Sequence, residues 1–445
     1  MSRVQIIFLC GLFLVAHSCA LAQRPSLRRA LSSSYRLVDK LRETKGSQLN
    51  PEAQSEKRMG LLLEQCITLA LMNNLSIRLA VFPDQKLAQD VSVARAIFDP
   101  NLAAEVNYQD STSQATSRLQ AAGQNEEQDL GASISVDKRT QDGTQMSLSY
   151  ISGRRKSNSP FFIINPVYSA TLALEARKSL TKLRGRDLNL AELRQLEHQR
   201  AAARCELHAT INDVMYGVVE SFLNLRQQDA NLTIQEQSLE QVKELVEITR
   251  KRMLVGRAVE AQLIKDQSQL ARQKEELIVT RANREQACDQ LLQLICPDPE
   301  ERPDPSRLEA ILEIPKVLER EINFTGLSRS ARQKRPEVLA MLCQMRSQDL
   351  ALRLARDGVK PTFDVVAGFG LQANDGTFSD ANSAVGTLDY PVYTLGLQYS
   401  IPLGMRASKG RMRRAKLERE ELDVRLLELE AAIELEVRQA LRGLR

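Results

Sequence analysis

Residues 95–109 read RAIFDPNLAAEVNYQ, and the chain changes period inside them. Upstream, from about Ser76 to Ile97, the spacing is helical; Asp99-Pro100 ends it, because proline disfavours helical geometry in the residue before it. Downstream, NLAAEVNYQD alternates apolar with small or polar residues, the period of a strand. The join is written again 261 residues later, where Pro361 falls on Pro100, Ala355-Arg356 on Ala94-Arg95, Leu352 on Val91, Leu342 on Val81 and Val338 on Ile77. A strand again follows the proline, PTFDVVAGFGLQ.

Each copy continues in the same order. After a loop comes a second strand, VYSATLALEARKSL in the first copy and YTLGLQYSIPL in the second, and then a charged helix, RGRDLNLAELRQLE or RASKGRMRRAKLERE. The first copy holds an additional alternating stretch, DLGASISVDKRTQDGTQMSLSY, with a hairpin signal at Asp142-Gly143. Strands of about ten residues are long enough to cross a bilayer when tilted, although soluble sandwich strands alternate in the same way.

Between Pro166 and Pro297 there is no proline, and the glycines are only Gly185, Gly217 and Gly256. From Ile211 the apolar positions Met215, Val218, Phe222, Leu225, Leu232, Leu239, Val242, Val246 and Met253 form a coiled-coil seam. It resumes as Leu263, Leu270, Leu277 and Leu291, with Arg284 interrupting. An arm of about 70 residues would be roughly 100 Å long, which a helical hairpin inside an assembly can bury. Gly256 is then the turn of that hairpin; as a tolerated glycine in one helix it would cost about 1 kcal/mol. A helix preceding these elements is expected in LLLEQCITLALMNNLSIRLA, broken at Asn73-Asn74.

Composition narrows the function. The balance of 61 basic against 56 acidic residues is too even for a nucleic-acid binder, and 4% aromatic residues without Trp suit helical rods better than an enzyme pocket. The start, MSRVQIIFLCGLFLVAHSCALAQ, has Arg3, an apolar run from Val4 to Val15, and Ala20 and Ala22 around Leu21: a secretory signal peptide, with lipidation at Cys19 as the lesser alternative. The five cysteines that remain, Cys66, Cys205, Cys288, Cys296 and Cys343, are scattered and read as buried free thiols. His198 and His208 have no ligand-type neighbours and read as solvated; Gly368 to Gly370 lack the third glycine of a phosphate loop; KGRMRRAK, 409–416, reads as a solvated helical face. No catalytic residue, cofactor site or metal site is expected, and no enzyme.

With GLLLEQCITLALMNNLSIRLA, RAIFDPNLAAEVNYQ and above all RKRMLVGRAVEAQLIKDQSQLARQKEELIVTRANREQACDQLLQLI, the chain from about residue 59 resembles the TolC-like outer-membrane efflux proteins, Met253 replacing their usual aromatic. The resemblance implies a mainly α fold with β: a long antiparallel coiled-coil helical hairpin plus transmembrane β-strands, duplicated, assembled as a trimeric α/β-barrel. Each copy would give four strands to a twelve-stranded barrel, and the helices would form a periplasmic tunnel. The implied function is a passive outer-membrane channel in a tripartite efflux or type I secretion system of a Gram-negative-type bacterium. Its implied partners are two further copies, a periplasmic adaptor, an inner-membrane transporter and outer-membrane lipid. The tip Leu254, Val255, Gly256, Arg257 and Ala258 would dock the adaptor.

The expected organisation is a signal peptide at 1–22, a flexible extension at 23–58, first-repeat helices at 59–98 and first-repeat strands and loops at 99–176. A long hairpin at 177–296 with its tip near 256, a linker or equatorial segment at 297–334, a second-repeat helix at 335–360, strands at 361–403 and the start of a second long helix at 404–445 follow. Three features depart from the family pattern. The additional hairpin gives an unusual extracellular loop, EARKSLTKLRG lacks the proline that commonly ends its strand, and the sequence stops inside the second long helix. That helix is expected to run roughly 35 residues further to a second tip, as in a truncated product. The rival reading is a periplasmic coiled-coil scaffold or adaptor without a pore.

Overall fold

Runs of period 3.6 and of period 2 alternate along the chain, and the computed structural model places helices and strands on them accordingly. It describes residues 59–114, 124–159, 162–300, 302–305, 308–311 and 323–443; the signal peptide and extension expected over 1–58 lie outside these. Two units are formed, one from Met1–Ile77 with Ile211–Lys316, the other from Arg78–Thr210 with Val317–Arg445.

In the first unit, β1 (Met59–Leu62) pairs in parallel with β6 (Leu308–Ile311). Neither four-residue strand is long enough to show a period in the sequence. Helix α1 (Leu63–Asn73) stops where Asn74 turns the chain: its Oδ1 accepts from the Ser76 N–H at 2.9 Å and its Nδ2 donates to the Leu294 carbonyl at 3.1 Å. Helices α4 (Ala191–Leu254) and α5 (Glu260–Ile295) make the hairpin. Val218, Phe222, Leu225, Leu239, Val242 and Val246 are buried on α4, and Leu263, Leu277 and Leu291 on α5. Cross-arm pairs fall in mirror order about the turn: Thr249–Asp266 at 2.8 Å, Arg281–Glu236 at 3.1 Å and Arg284–Asp229 at 2.9 Å.

The heptad interruption at Arg284 has a specific cause. Its side chain is only 9% exposed, pairs with Asp229, and donates to the carbonyls of Pro305 and Leu308, while Asp229 also accepts from the Ala310 N–H. The seam gives up one apolar position to hold β6. Cys66 and Cys288 are buried free thiols, both pushed up to about 11 by burial.

In the second unit, six strands form one antiparallel sheet in the order β2 (Asn101–Gln114), β3 (Gln124–Arg139), β4 (Gln145–Ser157), β5 (Val167–Ser179), β7 (Thr362–Asp375) and β8 (Pro391–Ser400). Helices α2 (Leu75–Ala96), α3 (Arg186–Asn189), α6 (Phe324–Lys334), α7 (Pro336–Asp357) and α9 (Arg406–Gly443) join the α4 residues of this unit. Asp84 of α2 accepts from Arg200 and Arg204 of α4 at 2.8 Å each; Gln344 of α7 reaches Glu206 at 2.9 Å; Arg419 of α9 reaches Asp349 at 2.7 Å.

The duplication is borne out to the residue. Leu63–Asn73 recurs as Phe324–Lys334, Leu75–Ala96 as Pro336–Asp357 and Asn101–Gln114 as Thr362–Asp375, each offset by 261 positions. The span 297–334 carries β6 and the helix Phe324–Lys334.

Two expectations are corrected. The resemblance implies four strands per copy, with the additional hairpin as loop; instead β3 and β4 are full members of a six-stranded sheet. The histidines are half-buried, not solvated. Burial, Arg346 of α7 and Arg194 hold the His198 pKa below its ordinary value against the opposing pull of Glu197.

Candidate functional site

The register makes the two faces of the sheet chemically different. On one face the pairing aligns Leu102, Val136, Leu148, Leu174, Phe369 and Tyr393 in a row that crosses all six strands. The neighbouring row is Ala104, Ile134, Tyr150, Leu172, Leu371 and Pro391. On the opposite face the corresponding rows read Ala103, Ser135, Ser149, Ala173, Gly370, Val392 and Asn101, Asp137, Ser147, Glu175, Gly368, Thr394. One face is thus aliphatic and aromatic, the other small and polar, because the side-chain period of a strand is two.

The apolar face is largely uncovered: Val106 is 75% exposed and Leu395 82%. A soluble sheet buries such a face against a second layer. Among the described residues only the end away from the helices has protein cover, where α8 (Phe378–Val385) sets Ala381 and Val385 on Ala170, Leu371 and Ala373, and Tyr150 Oη donates to Asn382. Aromatic residues mark both ends of the face, Phe363 beside Tyr399 near the helices and Tyr108 and Tyr168 at the other end.

The helical end of the sheet is locked. Strand β2 leaves α2, so the turn between β3 and β4, residues 140–144, comes back to the helices. Gly143 takes φ +88 there, and a Cβ would sit 2.6 Å from Asn189 Nδ2. Asn189 ties the junction together: it accepts from Arg139 at 2.9 Å and donates to the Leu183 and Gly185 carbonyls at 2.7 and 2.9 Å. Lys178 donates to Asp142 at 2.5 Å, which with Thr140 and Thr144 holds the Asp142 carboxyl well below the usual range. The strand without a terminal proline turns through positive φ at Leu183 (54) and Gly185 (85), and Thr181 Oγ1 donates to the Pro361 carbonyl at 2.6 Å. A groove of about 420 Å³ at this base is lined by Asp99, Asp137, Lys138, Arg139, Glu175 and Arg177, with charges of both signs.

The hairpin turn lies between α4 and α5. The Gly256 N–H donates to the Met253 carbonyl at 3.0 Å and the Arg257 N–H to the Arg252 carbonyl at 2.8 Å, with Gly256 at φ +69: a Schellman stop for α4. Leu254, Val255 and Val259 are 77%, 70% and 74% exposed, an apolar tip that none of the described residues covers. Just below it Asp266, 3% exposed, accepts from Thr249 at 2.8 Å and Gln262 at 2.9 Å.

No protein-family model matches the chain, and no curated protein sequence does. Solved structures do. The outer-membrane channel OprN matches with 16% identity over 84% of this chain and 72% of its own, at a TM-score of 0.58. The CmeC outer membrane channel of Campylobacter jejuni matches with 15% identity over 83% and 68%, at 0.57. The outer membrane protein VceC of Vibrio cholerae follows with 16% identity over 83% and 75%, at 0.54.

The chain has the TolC-like outer-membrane channel fold.

Within the TolC-like fold the KGRMRRAK segment lies on α9, where Arg414–Glu418 at 2.7 Å and Lys416–Glu420 at 3.4 Å continue its i,i+4 pairing. The GFG triplet lies inside β7. Among the described residues no single helix is long and apolar enough to cross a membrane. Sequence reasoning missed that β3 and β4 are members of the sheet. The signal was present: Leu130, Ile134, Val136, Met146 and Leu148 keep the same parity as the flanking strands in the final register.

Proposed function

We propose that this protein is the outer-membrane channel of a tripartite export system, a passive duct through which an inner-membrane transporter expels cargo. The observation that carries the reading is the unbroken apolar face across all six strands, opposed by a small and polar face. Lipid on one side and water on the other require that division. The likeness to channel structures supports it. Three copies would close the wall, the helices would line a periplasmic tunnel, and Leu254 to Ala258 would meet a periplasmic adaptor through an apolar and basic tip. The duct itself catalyses nothing; opening and closing of the helical tunnel would be its mechanism.

Fractionation of cells making the full-length protein, followed by electrophoresis of heated and unheated samples, tests this. The expected result is an outer-membrane protein whose migration changes on heating. A soluble periplasmic monomer would favour the scaffold reading and overturn the channel.

A further inference from the structure

Resting on that channel reading, we infer that the membrane wall is built from six strands per copy, so that three copies close an eighteen-stranded barrel. The additional hairpin is wall, not loop.

Three observations carry this. First, β3 and β4 are paired along nearly their whole length on both sides: β2 with β3 from Asn101↔Asp137 to Gln114↔Gln124, and β4 with β5 from Gln145↔Arg177 to Arg155↔Val167. Lifting the hairpin out would strip β2 and β5 of their ladders, and in hydrocarbon no water replaces those hydrogen bonds. Second, the apolar rows cross the hairpin without a change of face, as Val136 and Leu148 sit between Leu102 and Leu174. An extracellular excursion has no reason to keep that parity. Third, the turn at 140–144 is fastened to the strand-to-helix junction by Arg139–Asn189 and Lys178–Asp142, at the same end as the other strand-to-helix joins.

The two edges of the sheet indicate how the wall closes. Among the described residues β2 pairs only with β3, and β8 only with β7. These edge strands are also the most exposed, nearly every residue of each being open. Six is even and every neighbour is antiparallel, so β8 of one copy runs antiparallel to β2 of the next. The same contact then repeats head-to-tail until a ring closes. Apolar parity is retained across the seam, with Tyr393, Leu395 and Leu397 continuing the face of Leu102, Ala104 and Val106. Barrel diameter grows about linearly with strand number, so eighteen strands make a ring about half as wide again as twelve, in the range that leaves an aqueous channel.

Electron cryomicroscopy of the full-length protein, purified from the outer membrane into lipid nanodiscs, counts the strands directly. The expected result is a ring of eighteen, with Leu148 facing lipid and Ser149 facing the lumen. A twelve-stranded ring with β3 and β4 outside the wall overturns this inference and leaves the channel reading standing. A protein that forms no ring in lipid overturns both.

Discussion

A single backbone angle ends α4: Gly256 sits at φ +69, and a Cβ there would meet nothing within 4 Å. The demand is conformational, not steric, and a β-branched side chain in the left-handed region costs about 1–2 kcal/mol. Gly256→Val should therefore distort the tip while the protein still reaches the membrane as a heat-modifiable assembly; the loss should be in cargo export, read as growth in the presence of an exported toxic compound. Loss of insertion as well would argue against the tip's assignment. Arg284 makes a different demand. Asp229→Ala leaves it buried without its carboxylate, a change of about 3 kcal/mol, and urea unfolding should show a lower midpoint, whereas Arg284 and Asp229 replaced together by Met and Leu should recover only part of it, because the Pro305 and Leu308 carbonyls and the Ala310 N–H then lose these partners. His198 adds a pH dependence. Its folded pKa is lowered, so the folded state resists protonation; stability is full above the unfolded value of 6.5 and declines as pH falls below it. His198→Gln should flatten the thermal midpoint between pH 7.5 and 5.5 relative to the parent. Gly256 was legible in the sequence because glycine punctuates a helical run wherever it occurs. Arg284 and His198 were not, because their partners lie on elements distant in sequence: the β6 backbone for one, Arg346 for the other.

The β3–β4 hairpin shows where element reading stops. Its turn was legible, since Asp142-Gly143 is a local signal and Gly143 does take φ +88. Its place in the wall depends on register with β2 and β5, which a one-residue slip would invert and which no local pattern specifies. The charged turn fastens the end of the hairpin nearest the helices. Asp142 titrates below its ordinary value because Lys178 and Thr140 hydrogen-bond the carboxylate, so the stabilisation is fully present above the unfolded value of 3.8 and is lost only as pH falls from there through the lowered folded-state value. The pair is half-exposed and contributes little to global stability. Lys178→Met with Asn189→Ala should accordingly leave assembly unchanged and raise amide exchange at residues 140–147 in mass spectrometry; unchanged exchange would show that the turn does not depend on the latch. Leu148 and Ser149 test the faces themselves. Arginine at Leu148 should cost about 2–4 kcal/mol near the bilayer midplane and reduce the membrane-inserted yield, while arginine at Ser149 should leave yield near the parent.

Across the molecule, one offset of 261 residues relates two helices and a strand in each copy, and the departure from it begins between the repeats' two wall strands. The first copy spends that interval on β3 and β4; the second connects β7 to β8 through α8. The duplication thus contains a control for the insertion, since β7 and β8 show the same fold unit joined without a hairpin. Because β3 and β4 enter as a pair, removing residues 124–157 preserves the antiparallel alternation and leaves β2 next to β5. Parity is preserved too: Ala104 and Leu172 already share a row through Ile134 and Tyr150, so direct pairing puts both on the apolar face. The shortened protein should still insert and assemble, now with four strands per protomer and a ring about two thirds as wide. Imaging of the shortened and parent proteins in nanodiscs under the same conditions reads both strand number and diameter. Equal diameters would mean that the hairpin never belonged to the wall. Failure of the shortened chain to assemble, while the parent forms its ring, would mean that contacts of β3 and β4, beyond the repeated strand pair, are needed to close it.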